Sequence, residues 1–466
     1  MLYNRKQGFQ SYLGLTSHDS EEQPVGPSLP NGTIDNSSSD LELGFEGGDA
    51  QVVGLHYTNI RVPYGSLVTD SALQFTTDEV DTGATTLRIY ADKQPNSSAP
   101  SLNLFDLSGR TPTDNEVSWS PDAWNLVDER SDKQKTPDLS PVLNELAAQL
   151  TWDEGNSVTL LVDGTGERTA YSRDDDTNDD PDNPRNSAAL SYSVSPLAVI
   201  TSPSKDMEFV LAGVPQTLAA NPKVLVDIVD AKFFVNGTLV FTDTAAPFEY
   251  EYSFAAGVHD LFVDFSYADG SKVRTMRRTI RSGDKLLRFT LAGGNSDSEE
   301  NTGDSDAPYI DNNDIDFGQD TNVPTAKRLG FFHFNNVKLS AGDTIVSSHM
   351  KFVSAEASEE PTFLTVHGDA VDDSSLPSTN VGDLANRVKT TASTYWVPGL
   401  WEAAGVVVYS PDISNVLSEI LNRGGWASGN AMGFIISGFG KRSVLSCDEL
   451  RKINQGCSVL EVVIDE

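Results

Sequence analysis

The chain has 466 residues, of which 68 are Asp or Glu and 33 are Lys or Arg, so its formal net charge at pH 7 is −35. A surface with this charge repels phosphate backbones and anionic lipids, which argues against nucleic acid and membrane surfaces as partners. No stretch reaches the 18 apolar residues of a spanning helix, and the length predicts two to four domains.

Residues 1–39 are polar, rich in Gly, Pro and Ser, and weakly periodic. We predict that they form an N-terminal arm that becomes ordered only against a partner. They contain no apolar run of the length that a secretory signal needs, so no signal peptide is visible. An extracellular location then implies either a trimmed chain or release by host lysis, as for virion proteins.

From residue 40 onwards, short segments with period-two alternation follow one another, separated by turn residues. Segments such as QVVGLHYTNIRV, TTLRIYA and SVTLLVDG are rich in β-branched and aromatic residues, which predicts β-strands. One helix interrupts them over residues 137–152, PDLSPVLNELAAQLTW, because its apolar residues recur at helical spacing. The pattern predicts an all-β chain.

The sequence contains an internal repeat. VGLHYTNIRVPYGSLVTDSALQF (53–75) returns as GFFHFNNVKLSAGDTIVSSHMKF (330–352) at an offset of 277. The offset becomes 274 further on, where LVDGTGER returns as IISGFGKR. We therefore predict two duplicated, jelly-roll-like β-sandwich domains with one short helix each, at 40–195 and 304–466.

Between the copies, residues 196–283 carry short alternating segments spaced as in a seven-strand immunoglobulin-like sandwich. Asn236-Gly237, between two apolar runs, predicts a two-residue hairpin. Residues 284–303 are predicted to form an acidic linker.

The repeated unit resembles the DNRLRE-type β-sandwich module of secreted and surface proteins, through G-L-x-F/Y, V-P-x-G, A-x-L-Q-F, a tryptophan pair, T-P-D-L-S and G-T-G-x-R. That family includes carbohydrate-binding members. The middle unit resembles the immunoglobulin-like domain of bacterial surface proteins over residues 233–250. This second resemblance implies a domain that spaces or assembles other modules and performs no chemistry.

An acidic run precedes the last predicted strand of the first copy. Alternating acids in a loop can supply the six to eight oxygen ligands of Ca²⁺, which would be the only cofactor, whereas the alternative is a solvated loop. The residues 304–320 offer a second run of this kind. The predicted ligands in the first run are Asp174, Asp175, Asp176, Asp179, Asp180 and Asp182.

The second copy carries both cysteines of the chain at the equivalent place. We predict a local disulfide between Cys447 and Cys457 across a hairpin, against the alternative of two free thiols. Each copy also has a tryptophan pair, which either stacks on sugar rings or is buried against its sheet, and burial is favoured. The pairs are Trp119 with Trp124 and Trp396 with Trp401.

No catalytic residues are predicted. The six histidines show no metal-ligand spacing, and the equivalent His56 and His333 favour a packing role. The acids concentrate in loops, where solvent is expected to keep their pKa values ordinary.

The leading prediction is a non-enzymatic structural subunit of an extracellular assembly, such as a virion exterior, surface filament or layer. It would contact itself or other subunits through the arm and the sheet edges. The alternative is a secreted or cell-surface adhesin or carbohydrate-binding protein that recognises polysaccharide.

Overall fold

The computed structural model describes residues 7–25, 30–174, 186–302, 307–319, 327–359 and 361–466. Strands hold 47% of the residues and helices 7%, which confirms the all-β prediction. Two β-sandwiches, each with its own apolar core, precede and follow a smaller central sandwich along the chain.

The first sandwich packs a three-stranded sheet, in the order β1-β12-β7, against a seven-stranded sheet. The seven-stranded sheet has the order β3-β2-β6-β10-β8-β9, with β5 added to β6, and β4 pairs with β11. Its strands are β1 (Gln7–Tyr12), β2 (Asp19–Val25), β3 (Thr33–Asp35), β4 (Asp40–Glu42), β5 (Phe45–Glu46), β6 (Asp49–Tyr57), β7 (Leu67–Gln74), β8 (Thr86–Ala91), β9 (Val117–Trp119), β10 (Val158–Thr165), β11 (Thr169–Tyr171) and β12 (Ala189–Ser195).

The central domain has a three-stranded sheet, β13-β15-β18, and a six-stranded sheet, β14-β21-β19-β16-β17 with β20 added to β19. The Asn236-Gly237 turn joins β16 to β17 with positive φ at both residues, as a type I′ hairpin requires. The strands are β13 (Ala198–Ser202), β14 (Glu208–Leu211), β15 (Pro215–Pro222), β16 (Ile228–Val235), β17 (Thr238–Asp243), β18 (Glu249–Ser253), β19 (Gly257–Tyr267), β20 (Lys272–Arg274) and β21 (Arg278–Gly283).

The second sandwich repeats the first. A four-stranded sheet, β22-β32-β26-β29, faces a seven-stranded sheet, β28-β27-β30-β25-β24-β31, with β23 added to β25. The strands are β22 (Lys285–Thr290), β23 (Asp297–Asn301), β24 (Asp314–Gln319), β25 (Lys327–Phe334), β26 (Thr344–Val353), β27 (Phe363–Asp369), β28 (Lys389–Trp396), β29 (Val407–Tyr409), β30 (Met432–Phe439), β31 (Lys441–Leu445) and β32 (Val459–Asp465).

Each sandwich carries the predicted helix at equivalent positions, α1 (Ser140–Ala147) and α2 (Ser414–Leu421). The helices are shorter than the sequence pattern suggested. Both bury a leucine-rich face in the core, and Pro141 occupies the first turn of α1, where a missing N–H costs no hydrogen bond.

The predicted free arm is wrong for residues 7–25. Strand β1 pairs with β12 from Gln7↔Val194 to Tyr12↔Ala189, and β2 pairs with β6. These residues therefore complete the first sandwich. The sequence concealed β2 because its buried side chains are acidic, so it lacks the aliphatic alternation by which strands are recognised.

The predicted acidic linker at 284–303 is also wrong, because its residues form strands. Strand β22 pairs with β32 and β23 pairs with β25, so the second sandwich starts where the central domain ends. Residues 7–25 and 285–301 are equivalent segments, which extends the duplication beyond the region that the sequence pattern covered.

The three domains contact one another. The Arg281 guanidinium of the central domain lies 2.6 Å from the Glu461 carboxylate of the second sandwich, and both side chains are buried. Between the sandwiches, Gln10 Nε2 donates to the Glu359 carbonyl at 2.8 Å, and the Tyr12 and Phe363 rings meet edge to face at 4.9 Å. Strand β1 thus lies beside the outer surface of the second sandwich.

A substitution at Phe9 tests whether β1 belongs to the fold. Phe9 packs on the first core and stacks on Tyr192 with ring centroids 5.5 Å apart. We expect Phe9→Ala to lower the free energy of unfolding by about 1–3 kcal/mol, measured by urea denaturation. The exposed Gln7→Ala is the control, and equal stability of the two variants would contradict this role.

Candidate functional site

A buried arginine network holds one long loop in each sandwich. Arg110 donates from Nη1 to the Ser98 carbonyl at 2.8 Å and from Nη2 to the Asp106 carboxylate at 2.8 Å. Arg387 repeats this with the Ser375 carbonyl at 2.9 Å and Asp383 at 3.1 Å. Because every bond fixes the protein's own loop, this duplicated cluster is structural.

Buried carboxylates bind backbone N–H groups in the same loops. Glu22 accepts from the N–H of Leu107 at 2.7 Å and of Ser108 at 2.9 Å. Glu300, its equivalent, accepts from the N–H of Leu384 and Ala385. A buried carboxylate needs such donors to offset its lost hydration, so the acidic strands and the loops fix each other.

The expectation that the acids have ordinary pKa values is wrong for the interior strands. Burial raises the pKa of Asp19 and Glu42 to about 7, and burial beside the Glu42 carboxyl also raises the pKa of Glu21. In the second sandwich, burial raises the pKa of Asp297 and Glu299 to about 7. These acids lie within strands, away from the solvent that would stabilise their charge.

The histidine side chains form hydrogen bonds within the protein. Burial lowers the pKa of His56 to about 4, and its Nδ1 lies 2.9 Å from Thr159 Oγ1. His333 Nε2 lies 2.8 Å from the Ser374 carbonyl, and His349 Nδ1 lies 3.0 Å from the Ser410 carbonyl. These contacts give His56 and His333 a packing role.

The tryptophan pairs are buried, so the hypothesis that they stack on glycans is wrong. Each pair lies in a sandwich core with indole centroids about 6.4 and 6.5 Å apart. The exposed fraction is at most 6% for all four: Trp119, Trp124, Trp396 and Trp401.

The predicted Ca²⁺ ligands fall almost entirely outside the described residues. Asp174 is described, whereas Asp175, Asp176, Asp179, Asp180 and Asp182 are not. Over the parts of the chain that the structure describes, no group of three His, Cys, Asp or Glu side chains could hold a metal ion. The Ca²⁺ site stays a prediction.

The structure joins Cys447 and Cys457 by a disulfide. The bridge does not cross a hairpin as predicted: it closes a loop that contains the short helix α3 (Cys447–Lys452), directly before β32. In the first sandwich, Arg173 occupies the place of Cys447. The N–H of each residue donates to an equivalent buried carboxylate, Asp19 or Asp297.

The disulfide should stabilise the second sandwich by restricting its unfolded chain. We expect the double substitution Cys447→Ala and Cys457→Ala to lower the free energy of unfolding by about 2–3 kcal/mol. Urea denaturation of the oxidised wild type and the variant measures this difference. A wild-type protein that reacts with two equivalents of a thiol reagent before reduction would contradict the bridge.

The outer surface of β27, β28 and β30 in the second sandwich forms an open face of hydroxyl and aromatic side chains. Thr365 lies opposite both Tyr395 and Ser437 across the strands, and Phe363 lies opposite Phe439. The alternate residues Leu364 and Val366 enter the core, which turns Thr365 outward. Tyr395 is 57% exposed. We call this surface the open face; it comprises Thr365, Ser393, Tyr395, Ser437 and Phe439, whereas Phe363 beside them is buried against Tyr12.

The same surface of the first sandwich is closed by its own charges. Arg88, equivalent to Thr365, lies opposite Asp163, equivalent to Ser437, in the same register. The Arg88 guanidinium binds the Asp163 carboxylate through two nitrogens, at 2.9 and 2.5 Å. It also reaches Glu116 at 3.4 Å and lies over the Tyr90 ring. The two copies therefore share a backbone and differ in what this surface offers to a ligand.

Two adjoining cavities of about 380 and 460 Å³ form one groove along the open face. They share Thr365, Gly438 and Phe439. At one end, Lys327 and Lys389 line the groove; at the other, Gly14 and Arg173 of the first sandwich reach it. Lys327 Nζ lies 4.5 Å from the Phe439 ring centroid. The groove is thus built from both copies.

The open face was not predicted from the sequence. Its residues are common types without a motif, and they converge from strands far apart in the chain. One signal was available: at the aligned positions of the repeat, charged residues of the first copy become small hydroxyl residues in the second.

Comparison with known proteins characterises the central domain. Residues 196–263 match the bacterial Ig domain family. This confirms the predicted immunoglobulin-like domain, whereas the resemblance of the outer sandwiches to the DNRLRE-type family stays a prediction. No curated protein matches the chain.

Three solved structures illustrate the structural likenesses. The fibronectin(III)-like modules of Clostridium thermocellum CbhA have 23% identity and a TM-score of 0.19, covering 19% of this chain and 99% of that one. The M60 catalytic domain with two CBM51 domains of Clostridium perfringens ZmpB has 11% identity and a TM-score of 0.22, covering 99% of this chain and 39% of that one. Bacteroides ovatus SGBP-B, bound to a mixed-linkage heptasaccharide, has 10% identity and a TM-score of 0.15, covering 57% of this chain and 99% of that one. With such scores, these likenesses carry no argument about function.

The helices in the described part of the chain include none that is long and apolar enough to cross a membrane.

The buried acids predict an unusual pH dependence of stability. A carboxyl whose pKa rises on folding contributes stability below its ordinary pKa near 4, and this is lost as the pH rises through about 7. Glu145 has the opposite effect. Burial opposes its ionisation, but hydrogen bonds from N–H donors outweigh burial and lower its pKa to about 2. Its contribution to the free energy of unfolding is therefore lost only in strong acid. We therefore expect maximum stability near pH 5 and a decline towards pH 8.

Glu21→Gln tests this explanation, because the amide keeps an acceptor for the Glu42 N–H and has no proton to lose. We expect the variant to gain about 1–3 kcal/mol over wild type at pH 8 and to show a shallower decline between pH 5 and 8. The exposed Glu79→Gln is the control for removal of one charge. Parallel curves of unfolding free energy against pH for all three proteins would contradict the buried-acid explanation.

Proposed function

We propose that this chain is a non-catalytic carbohydrate-binding protein of the bacterial cell surface or the extracellular space, and that it binds glycan on the open face. The observation that carries the proposal is the difference between the two copies. The surface is covered by an Arg88–Asp163–Glu116 network in the first sandwich, whereas the equivalent surface of the second sandwich has no such network among its described residues.

The side chains of the open face suit a sugar polymer. Tyr395 and Phe439 offer ring faces for stacking on pyranose C–H groups, while Thr365, Ser393 and Ser437 offer hydroxyls as hydrogen-bond donors and acceptors. A sugar presents the same mixture of apolar patches and hydroxyls. The groove is shallow and continues past several strands, a shape that accommodates a chain better than a single small molecule.

Binding without catalysis agrees with the lining of the groove. The described residues that line it include no Asp or Glu, whereas glycoside hydrolysis usually requires a pair of carboxyl groups. The buried acids and the histidines are bound to neighbouring groups of the fold. The match of the middle domain to the bacterial Ig family supports the surface or extracellular location.

The structural-subunit hypothesis loses its main support. It relied on a free N-terminal arm reaching a neighbour, but residues 7–25 pair within the first sandwich. Strand β1 also contacts the second sandwich of the same chain, so it already has an intramolecular role.

Transplanting the charge pair of the first copy tests the proposal. The double variant Thr365→Arg with Ser437→Asp places an Arg–Asp pair at the register that Arg88 and Asp163 occupy. We expect it to fold with unchanged secondary structure and to lose glycan binding at least tenfold, because its face is then closed by its own charges. Glycan-array screening followed by calorimetry on the full chain measures this.

Substitution of the exposed tyrosine gives a second, smaller change. Tyr395→Ala removes a stacking surface and should weaken binding about fivefold to tenfold, whereas Tyr395→Phe keeps the ring and should bind nearly as wild type. If a glycan binds the chain with equal affinity in both the Thr365/Ser437 and Tyr395→Ala variants, the site lies elsewhere. If the wild type binds no glycan, the proposed function is wrong.

A further inference from the structure

The residues that line the groove on the open face are basic, whereas the molecule as a whole is acidic. Acids outnumber basic residues by about two to one in the whole chain. Among the described residues that line the groove, three are basic and none is acidic: Lys327, Lys389 and Arg173. Such a local reversal in a highly acidic protein attracts anions to one place.

The equivalent faces of the two sandwiches also differ in charge. At five equivalent positions, the first sandwich has Ala50, Arg88, Pro112, Glu116 and Asp163, a formal charge of +1 − 2 = −1. The second sandwich has Lys327, Thr365, Lys389, Ser393 and Ser437, a formal charge of +2. Two acids have been replaced by serines and two lysines stand where the first copy has uncharged residues.

The aromatic residues changed at the same surface. Tyr395 and Phe439 stand where the first copy has Ser118 and Thr165. The second copy therefore combines stacking rings, free hydroxyl groups and positive charge on one face. If each of these differences affected only the stability of the fold, there would be no reason for all of them to lie on one surface.

The two lysines have no acid to neutralise them within the described structure. No carboxylate of the described residues lies within ion-pair distance of Lys327 or Lys389. Burial lowers the pKa of Lys389, which is the cost of partly desolvating an ammonium that has no counter-ion. The Lys327 ammonium lies against the Phe439 ring, and both residues line the same cavity.

We propose that the ligand of this groove is an acidic polysaccharide whose carboxylate or sulfate groups bind Lys327 and Lys389 while its sugar rings lie along Tyr395 and Phe439. The inference rests on the proposed function and names its ligand class. Arg173 of the first sandwich lines the opposite end of the groove, so a polymer that lies along the groove contacts both copies. The net charge of −35 repels such polymers from the rest of the surface, which restricts binding to the groove.

The test uses matched probes that differ only in charge. Oligogalacturonate is compared with its fully methyl-esterified form, and a sulfated galactan oligosaccharide with its desulfated form, by calorimetry on the full chain in 0.15 M salt. We expect the charged member of at least one pair to bind about tenfold more tightly than its neutral partner. The pair that shows this preference distinguishes a carboxylate ligand from a sulfate ligand.

Lysine variants then locate the charge contact. Lys389→Gln and Lys327→Gln should each weaken binding of the charged probe about fivefold to tenfold and leave the neutral probe unchanged. Lys223→Gln, on the exposed surface of the Ig domain, is the matched control and should bind as wild type. Thermal unfolding of each variant verifies that the fold is intact.

The two proposals fail in different ways. If neutral and charged probes bind equally, with losses in Tyr395→Ala but none in the lysine variants, the charge inference is overturned and the proposed function stands. If the charged probe binds with full affinity to both lysine variants, the inference is also overturned. If no member of a broad glycan array binds, both are overturned.

Discussion

A carboxylate that leaves water must receive hydrogen bonds from the protein, and this constraint organises each outer sandwich. Glu22 and Glu300 lie on the acidic strands β2 and β23 and accept backbone N–H groups from a loop about 85 residues further along the chain. The loops carry Leu107 and Leu384 onto the outer surface of the sheet, where small second cores form. Removing the carboxylate would leave those N–H groups buried without acceptors.

The groove depends on this arrangement. Ala385, whose N–H binds Glu300, lines the groove, and Lys389 follows it at the start of β28. Arg387 lies between them and ties the loop to Asp369 and Asp383. The backbone that carries Lys389 is thus fixed on both sides, by Glu300 and by Arg387.

Duplication explains how one surface could change without loss of the fold. The Arg110 and Arg387 clusters, the Glu22 and Glu300 contacts and the buried tryptophans are kept in both copies, because they hold loops and cores together. The solvent side of β8 and β27 is free of that constraint. There a charge pair at an exposed position stabilises little, so uncharged groups can stand in its place at small cost in stability. The interface with β1 brings the first copy to the edge of the second copy's groove.

The sequence by itself determined the all-β class, the duplication, the helices α1 and α2 and the Ig domain, since these follow from local periodicity and from alignment of the chain with itself, but it did not indicate α3. It could not identify β2 and β23, because their buried acids resemble a solvated segment until the N–H donors from a distant loop are placed beside them. Nor could it identify the groove, since Lys327, Tyr395 and Ser437 come together only through strand pairing. Tertiary structure also decided between the two roles of the tryptophans: packing of two sheets left their rings no access to solvent.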